Sequence, residues 1–200
     1  MRFQEIISCV QACDTLLEVG CDHAKLTELA LRKGVCKRAI ASDISALCLE
    51  KAKATLCGYN CVEYSVCDGI PANTNADCIL ICGMGGHTIR DILSRYDGNA
   101  TLVLSPQSHA ELVRGFLNEN GYAINLDRCF ESAGKFYDVI RAENGERKLS
   151  AMQIKYGADY KTHNVALKKR LLRVLENLRG GGEANAERIA EIEEVLAWQK

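Results

Sequence analysis

Apolar and polar positions along the first 145 residues alternate between two rhythms. Short apolar runs bounded by glycine or aspartate read as buried strands, and stretches with apolar residues three or four apart read as helices. Phe3, Ile6, Ile7 and Val10 stand at helical spacing and predict a short N-terminal helix over the first strand. Leu16 to Val19 is that strand, ending in the Gly20 turn, and Ala24 to Lys33 is the helix after it, closed by Gly34. Arg38–Asp43 and Cys61–Val66 are the second and third strands, flanking a helix from Ala46 to Cys57 that Ser45 can cap and Gly58 follows. Asp77–Cys82 is a fourth strand, running into Gly83-Met84-Gly85-Gly86 and a helix to about Tyr96. Thr101–Leu104 is a fifth, followed by Ser105-Pro106-Gln107 and a helix to Asn120.

After Gly121 the rhythm changes. Tyr122–Phe130 and Lys135–Ala142 are strand-like runs joined by a Ser-Ala-Gly turn, with no room for a helix between them. Alternating strands and helices demand a parallel sheet, and the closing hairpin demands one antiparallel strand. The fold class is therefore α/β: a Rossmann-like seven-stranded core over residues 1–145 with a C-terminal helical hairpin over 146–200. In that hairpin Leu167, Leu171, Val174 or Leu175, and Leu178 form one stripe, and Ala186, Ile189, Ile192 and Leu196 another, with Gly180-Gly181-Gly182 between them. The first helix and its approach are basic (Lys161, Lys168, Lys169, Arg170, Arg173) and the second is acidic (Glu183, Glu187, Glu191, Glu193, Glu194). Two readings stay open: ion pairs between solvated faces, or an arm that faces phosphates.

Composition narrows the possibilities. Hydrophobic residues make up 48% and charged residues 26%, ordinary for a globular chain, and the net charge of -1 leaves any basic surface to be local. No apolar run approaches membrane-spanning length, and Glu5 interrupts the opening residues, so neither a membrane segment nor a signal peptide is expected. A cytoplasmic monomer is the expectation. The 11 cysteines are odd in number, contain no C-x-x-C and sit mostly in apolar stretches. They read as packing residues in a reducing compartment, with no metal site.

Candidate chemistry gathers at the strand ends. A dinucleotide turn needs G-x-G-x-x-G so that the backbone can approach a pyrophosphate. Here Asp22 and Lys25 replace the second and third glycines, so a Rossmann oxidoreductase is disfavoured. Carboxylates at Glu18 and Asp22 oppose a pyrophosphate and suit S-adenosylmethionine (SAM), which carries an ammonium and a sulfonium. Asp22, Asp43 and Asp68 stand at or beyond the ends of the first three strands and should face one crevice. Asp43 is spaced to bond ribose hydroxyls, Asp68 with Gly69 to accept from an adenine amino group, and Asp22 with Gly20 to face the methionine end. The glycines of Gly83-Met84-Gly85-Gly86 should let a flat ring or a methyl come close to the backbone, and Pro106 should fix the turn after the fifth strand on the same rim. His87 occupies a suggestive position near a helix start. The Asn/Asp-Pro-Pro-aromatic loop of exocyclic-amine methylation is absent.

Six segments, Glu18–Ala24, Ser42-Asp43-Ile44, Asp68-Gly69, Gly83–Gly86, Leu104–Gln107 and Gly134–Asp138, resemble in order the bacterial tRNA (adenine-N1)-methyltransferases that modify the D-arm nucleotide at position 22. The resemblance covers residues 15 to 145. It implies SAM as cofactor and tRNA as partner, with Glu18, Gly20, Asp22, His23, Asp43, Ile44, Asp68, Gly69 and Gly83 at the cofactor. It leaves the catalytic group unassigned, with Asp22, Gly83, Met84, Gly85 and Pro106 as pocket candidates. Adenine N1 is a neutral nucleophile, so positioning and electrostatics would carry catalysis without a general base. The family's rim usually reads Q-P-N where this chain has Ser105-Pro106-Gln107, and the chain is somewhat short at both ends. A small-molecule methyltransferase and a non-catalytic RNA-binding module are the competing readings.

Overall fold

The computed structural model describes residues 2–179 and 185–199. The Gly180-Gly181-Gly182 break and Glu183 lie outside them. The elements run α1 (Arg2–Ile7), β1 (Cys13–Val19), α2 (Lys25–Arg32), β2 (Cys36–Asp43), α3 (Ala46–Thr55), β3 (Val62–Val66), β4 (Cys78–Cys82), α4 (Gly86–Leu93), β5 (Thr101–Ser105), α5 (Ala110–Glu119), β6 (Tyr122–Ser132), β7 (Lys135–Asn144), α6 (Ala151–Tyr156), α7 (Val165–Arg179) and α8 (Ala186–Trp198). They build a seven-stranded sheet in the order β3-β2-β1-β4-β5-β7-β6. β1 to β5 pair in parallel, and β7 alone runs against both its neighbours, β5 and β6.

The apolar runs follow from coverage on both faces. In β1, β4 and β5, Leu17, Ile79, Ile81, Leu102 and Leu104 point to one face and pack with Ile89, Leu93, Val113 and Leu117 of α4 and α5. Leu16, Leu80 and Val103 point to the other, against Ile6 and Ile7 of α1 and Leu26 and Leu29 of α2. Both sets are buried, so neither face of the central strands can carry a charge without a partner. Ser45 caps α3 by accepting from the Cys48 N–H at 3.4 Å.

The C-terminal segment departs from its expected form in two ways. A further short helix, α6, starts at a capping box of Ser150 and Gln153; the S-x-x-Q signal for it is present in the sequence. The helical hairpin also does more than pack on itself. Leu167, Leu171 and Leu175 of α7 and Ile192 and Val195 of α8 share a cluster with Cys129 of β6 and Tyr156 of α6. Because α8 must face both α7 and this cluster, its fully buried position is Val195, one residue before the Leu196 of the expected stripe.

A buried charge network ties this segment to the sheet. Arg114 of α5 reaches Asp127 through two hydrogen bonds of 2.6 and 3.0 Å and Asp138 at 3.2 Å. Arg170 of α7 takes the other oxygen of Asp138 at 2.7 Å.

Candidate active site

The C-terminal ends of β1, β2 and β4 open onto a cavity of about 630 Å³. Its lining contains all nine residues expected at a cofactor: Glu18, Gly20, Asp22, His23, Asp43, Ile44, Asp68, Gly69 and Gly83. The turn after β1 shapes it. Gly20 has φ +70°, and a Cβ there would overlap the Met84 side chain, so glycine is required for Met84 to lie across the turn. Asp22 has φ +45°, which an aspartate tolerates better than a branched residue. This strained turn aims the Asp22 N–H at Asp43 Oδ2 at 3.0 Å, and Ser45 N–H donates to Asp43 Oδ1 at 2.9 Å. Each oxygen of Asp43 keeps a further lone pair for an outside donor.

The carboxylates differ in how much of their capacity is already used. Glu18 is buried and accepts from Thr27 N–H at 2.9 Å and Thr27 Oγ1 at 2.5 Å. Burial pushes its carboxyl up to about 7, against the pull of those two bonds and with help from the Asp43 charge. Asp22 shares its carboxylate with Lys51 Nζ at 3.2 Å, which holds it below the usual range. Asp68 pairs at the mouth with Arg95 at 3.1 Å, both exposed.

Arg2 of α1 also lines the cavity and went unnoticed in the sequence. Its guanidinium carbon stands 4.7 Å from the Tyr137 ring centroid, and its buried Nε has no partner among the described residues. A terminal helix carries no turn signature to mark such a residue; its apolar neighbours gave only the helix.

Residues 1–140 match the family model described as a methyltransferase domain. The chain belongs to the methyltransferase-domain family. It is 30% identical over 155 residues to the tRNA (adenine(22)-N(1))-methyltransferase of Bacillus subtilis, over 73% of this chain and 65% of that protein. The chain thus spans a little under two thirds of that curated relative. The crystal structure of the B. subtilis m1A22 tRNA methyltransferase superposes with a TM-score of 0.84 at 27% identity, covering 98% of this chain and 97% of that one. Sp1610 of Streptococcus pneumoniae, in complex with S-adenosyl-L-methionine, superposes with a TM-score of 0.87 at 26% identity, covering 98% of each chain.

On the methyltransferase domain, Gly85, Gly86 and Pro106 of the expected rim are placed differently. The glycines after β4 serve mainly the neighbouring loop. Ser108 Oγ lies 3.2 Å from where a Gly85 Cβ would stand, and a Gly86 Cβ would overlap the His109 carbonyl. Of these glycines it is Gly83, at φ +84°, that lines the cavity, together with Met84. Pro106 is in a second cavity of about 500 Å³, between the β5–α5 loop and α6 to α8. Gly85 and Pro106 are thus outside the cofactor cavity. His87 is too: its ring packs 5.0 Å from that of His109.

The basic residues of the C-terminal segment also separate. Arg170 is held against Asp138, and Lys169 and Arg173 reach Glu131 at 3.0 and 3.6 Å. Arg170 is therefore part of the fold's own charge balance. Lys161 lies over the Trp198 ring at 4.7 Å, and Lys168 has no ion pair among the described residues. All 11 cysteines are free thiols, and among the described residues no group of three or more His, Cys, Asp or Glu could hold a metal. No helix among those residues is long and apolar enough to cross a membrane.

Proposed function

We propose that this protein is a SAM-dependent methyltransferase acting on N1 of the adenine at position 22 in the D-arm of tRNA. The observation that carries the reading is the mixed charge of the 630 Å³ cavity, whose lining holds the carboxyl side chains of Glu18, Asp22, Asp43 and Asp68 together with Arg2. SAM has complementary groups for each, an ammonium and sulfonium for acids and a carboxylate for a guanidinium. Asp43 retains acceptor capacity for ribose hydroxyls. Ile44, 70% exposed beside it, offers an apolar face to a purine ring. The likeness to the B. subtilis enzyme and to the SAM-bound streptococcal structure supports the same cofactor and substrate.

Bound there, SAM supplies a sulfonium methyl that the N1 lone pair can take directly, the S–C bond pair staying on sulfur and the positive charge ending on the purine. The protein's work is positioning and electrostatics. Met84 across Gly20 and the φ of Gly83 fix the wall of the cavity near the rim. Asp22 and Asp43 place carboxylates on the lining of the cavity in which a cation is consumed and formed. N1 is hidden in paired or stacked RNA, so the base must be turned out, at a cost of a few kcal/mol. Of the five cations expected to meet phosphates, Lys161 and Lys168 are the two that no carboxylate pairs with among the described residues, which leaves them to hold phosphates.

The test is incubation with labelled SAM and unmodified tRNA, followed by mapping of the modified nucleoside. N1-methyladenosine at position 22, with free adenosine left unmodified, is the expected result. Equal rates on free adenosine and tRNA would move the protein to the small-molecule class, since remote contacts would then contribute nothing.

A further inference from the structure

We propose that Gln107 reads the Hoogsteen edge of the target adenine, its N6 amino group and N7, and so leaves N1 turned toward the methyl donor. This deepens the adenine-N1 reading above and rests on it.

The loops after β4 and β5 are zipped together residue by residue. Gln107 N–H donates to the Met84 carbonyl at 2.9 Å, and Gly86 N–H donates to the Ser108 carbonyl at 2.8 Å. Ser108 and the His109 backbone then close over Gly85 and Gly86, which buries Gly86 and leaves Gly85 half-buried. Gln107 stands over the remaining glycine. Its Nε2 lies 3.8 Å from where a Gly83 Cβ would be, at the rim of the first cavity, while Gln107 itself lines the second. The residue therefore marks the boundary between the two hollows.

Its side chain is exposed and has no hydrogen-bond partner among the described residues. Of the acids lining the first cavity, Asp22 is paired with Lys51 and Asp68 with Arg95. A carboxamide carries an acceptor and a donor side by side, matching the N6 donor and N7 acceptor of adenine. Set against the Watson–Crick edge, the same amide would donate to N1 and occupy the lone pair that must react. Set against guanine, its oxygen would meet O6, a second acceptor. A Hoogsteen pairing selects adenine and leaves N1 free.

The experiment compares tRNA carrying adenine with tRNA carrying 7-deazaadenine at position 22, using wild type and Gln107→Ala. Deaza substitution removes N7 and keeps N1 and N6, and the variant's own ratio corrects for the altered basicity of the ring. Wild type should lose about tenfold in kcat/KM on the deaza substrate, the scale of one hydrogen bond. Gln107→Ala should lose at least as much on adenine, its preference for adenine over deazaadenine in kcat/KM should be about tenfold below that of wild type, and its tRNA affinity measured without SAM should be the same for both tRNAs. Its SAM affinity by calorimetry should be unchanged. A variant that keeps the wild-type ratio, or that acts on adenine at the wild-type rate, overturns the assignment to Gln107. So does loss of SAM affinity, which would put Gln107 in the cofactor cavity. Wild type inactive on both tRNAs overturns the adenine-N1 reading itself.

Discussion

Two regions of this protein bring acids and arginines together, and they do opposite things with them. In the seam between α5, the β6–β7 hairpin and α7, Arg114, Asp127, Asp138 and Arg170 satisfy one another. Burial works against the Asp138 carboxylate, yet Arg170 and Arg114 hold it below the usual range. In the cavity at the end of β1, burial dominates Glu18 and lifts it to about 7, because its partner Thr27 carries no charge. Two buried carboxylates thus shift in opposite directions. The difference teaches where to look for ligands: a region whose charges are matched internally holds the fold, and one whose charges are left unmatched has capacity for an outside molecule.

The sharpest way to break this contrast is Arg114→Ala. It leaves the buried Asp127 without a charged partner and Asp138 with Arg170 alone, and should lower stability by about 3–5 kcal/mol in urea unfolding. A loss below about 1 kcal/mol would mean the seam is solvated and the contrast is false.

A slightly smaller effect separates the two carboxylates by pH. The folded-state pKa of Glu18 lies above its ordinary 4.5, so the folded chain holds this proton after the unfolded chain has lost it. Its contribution should therefore make stability fall as pH rises from about 4.5 to about 7, by about 3 kcal/mol in all. Asp138 has the reverse sign: its contribution is present above its ordinary 3.8 and is lost as pH falls through its lowered folded value. Unfolding curves of wild type and Glu18→Gln between pH 4.5 and 7.5 test this, and parallel pH dependences would show that Glu18 is already ionised in the folded protein.

The smallest expected effect is on RNA. Lys161→Ala/Lys168→Ala should flatten the salt dependence of tRNA affinity by about one phosphate contact per charge removed. Arg170→Ala should lower stability and leave that slope alone. Unchanged slopes for the lysine pair would exclude them from the RNA interface.

Much of the parallel half was legible in the chain because burial on both faces writes itself as unbroken apolar runs, and because each strand ends at a residue with a turn preference. Asp43 and Asp68 could be placed by counting from those ends. Arg2, Arg170 and the second cavity could not, because each depends on how distant elements pack. A lysine or arginine on α7 has the same local signal whether it faces water or Asp138. The glycines after β4 were read as room for a ligand, whereas Gly85 and Gly86 make room for a loop 23 residues further along, Ser108 over the first and His109 over part of the second. The β-carbon they lack is a contact that sequence spacing does not reveal.

The insertion of β7 between β5 and β6 also sets an order of events during synthesis. β1 to β5 can pair as soon as Ser105 has been made, but the outer edge of β5 stays open while α5 and β6 emerge. β6 has no strand of its own to join until β7 turns back at Ala133-Gly134 and threads the gap. For that interval the nascent chain carries an exposed edge strand, the state in which strands pair wrongly with other chains. Completion of one hairpin closes that edge, so a ribosome pause inside residues 122–144 would lengthen the protein's most aggregation-prone moment.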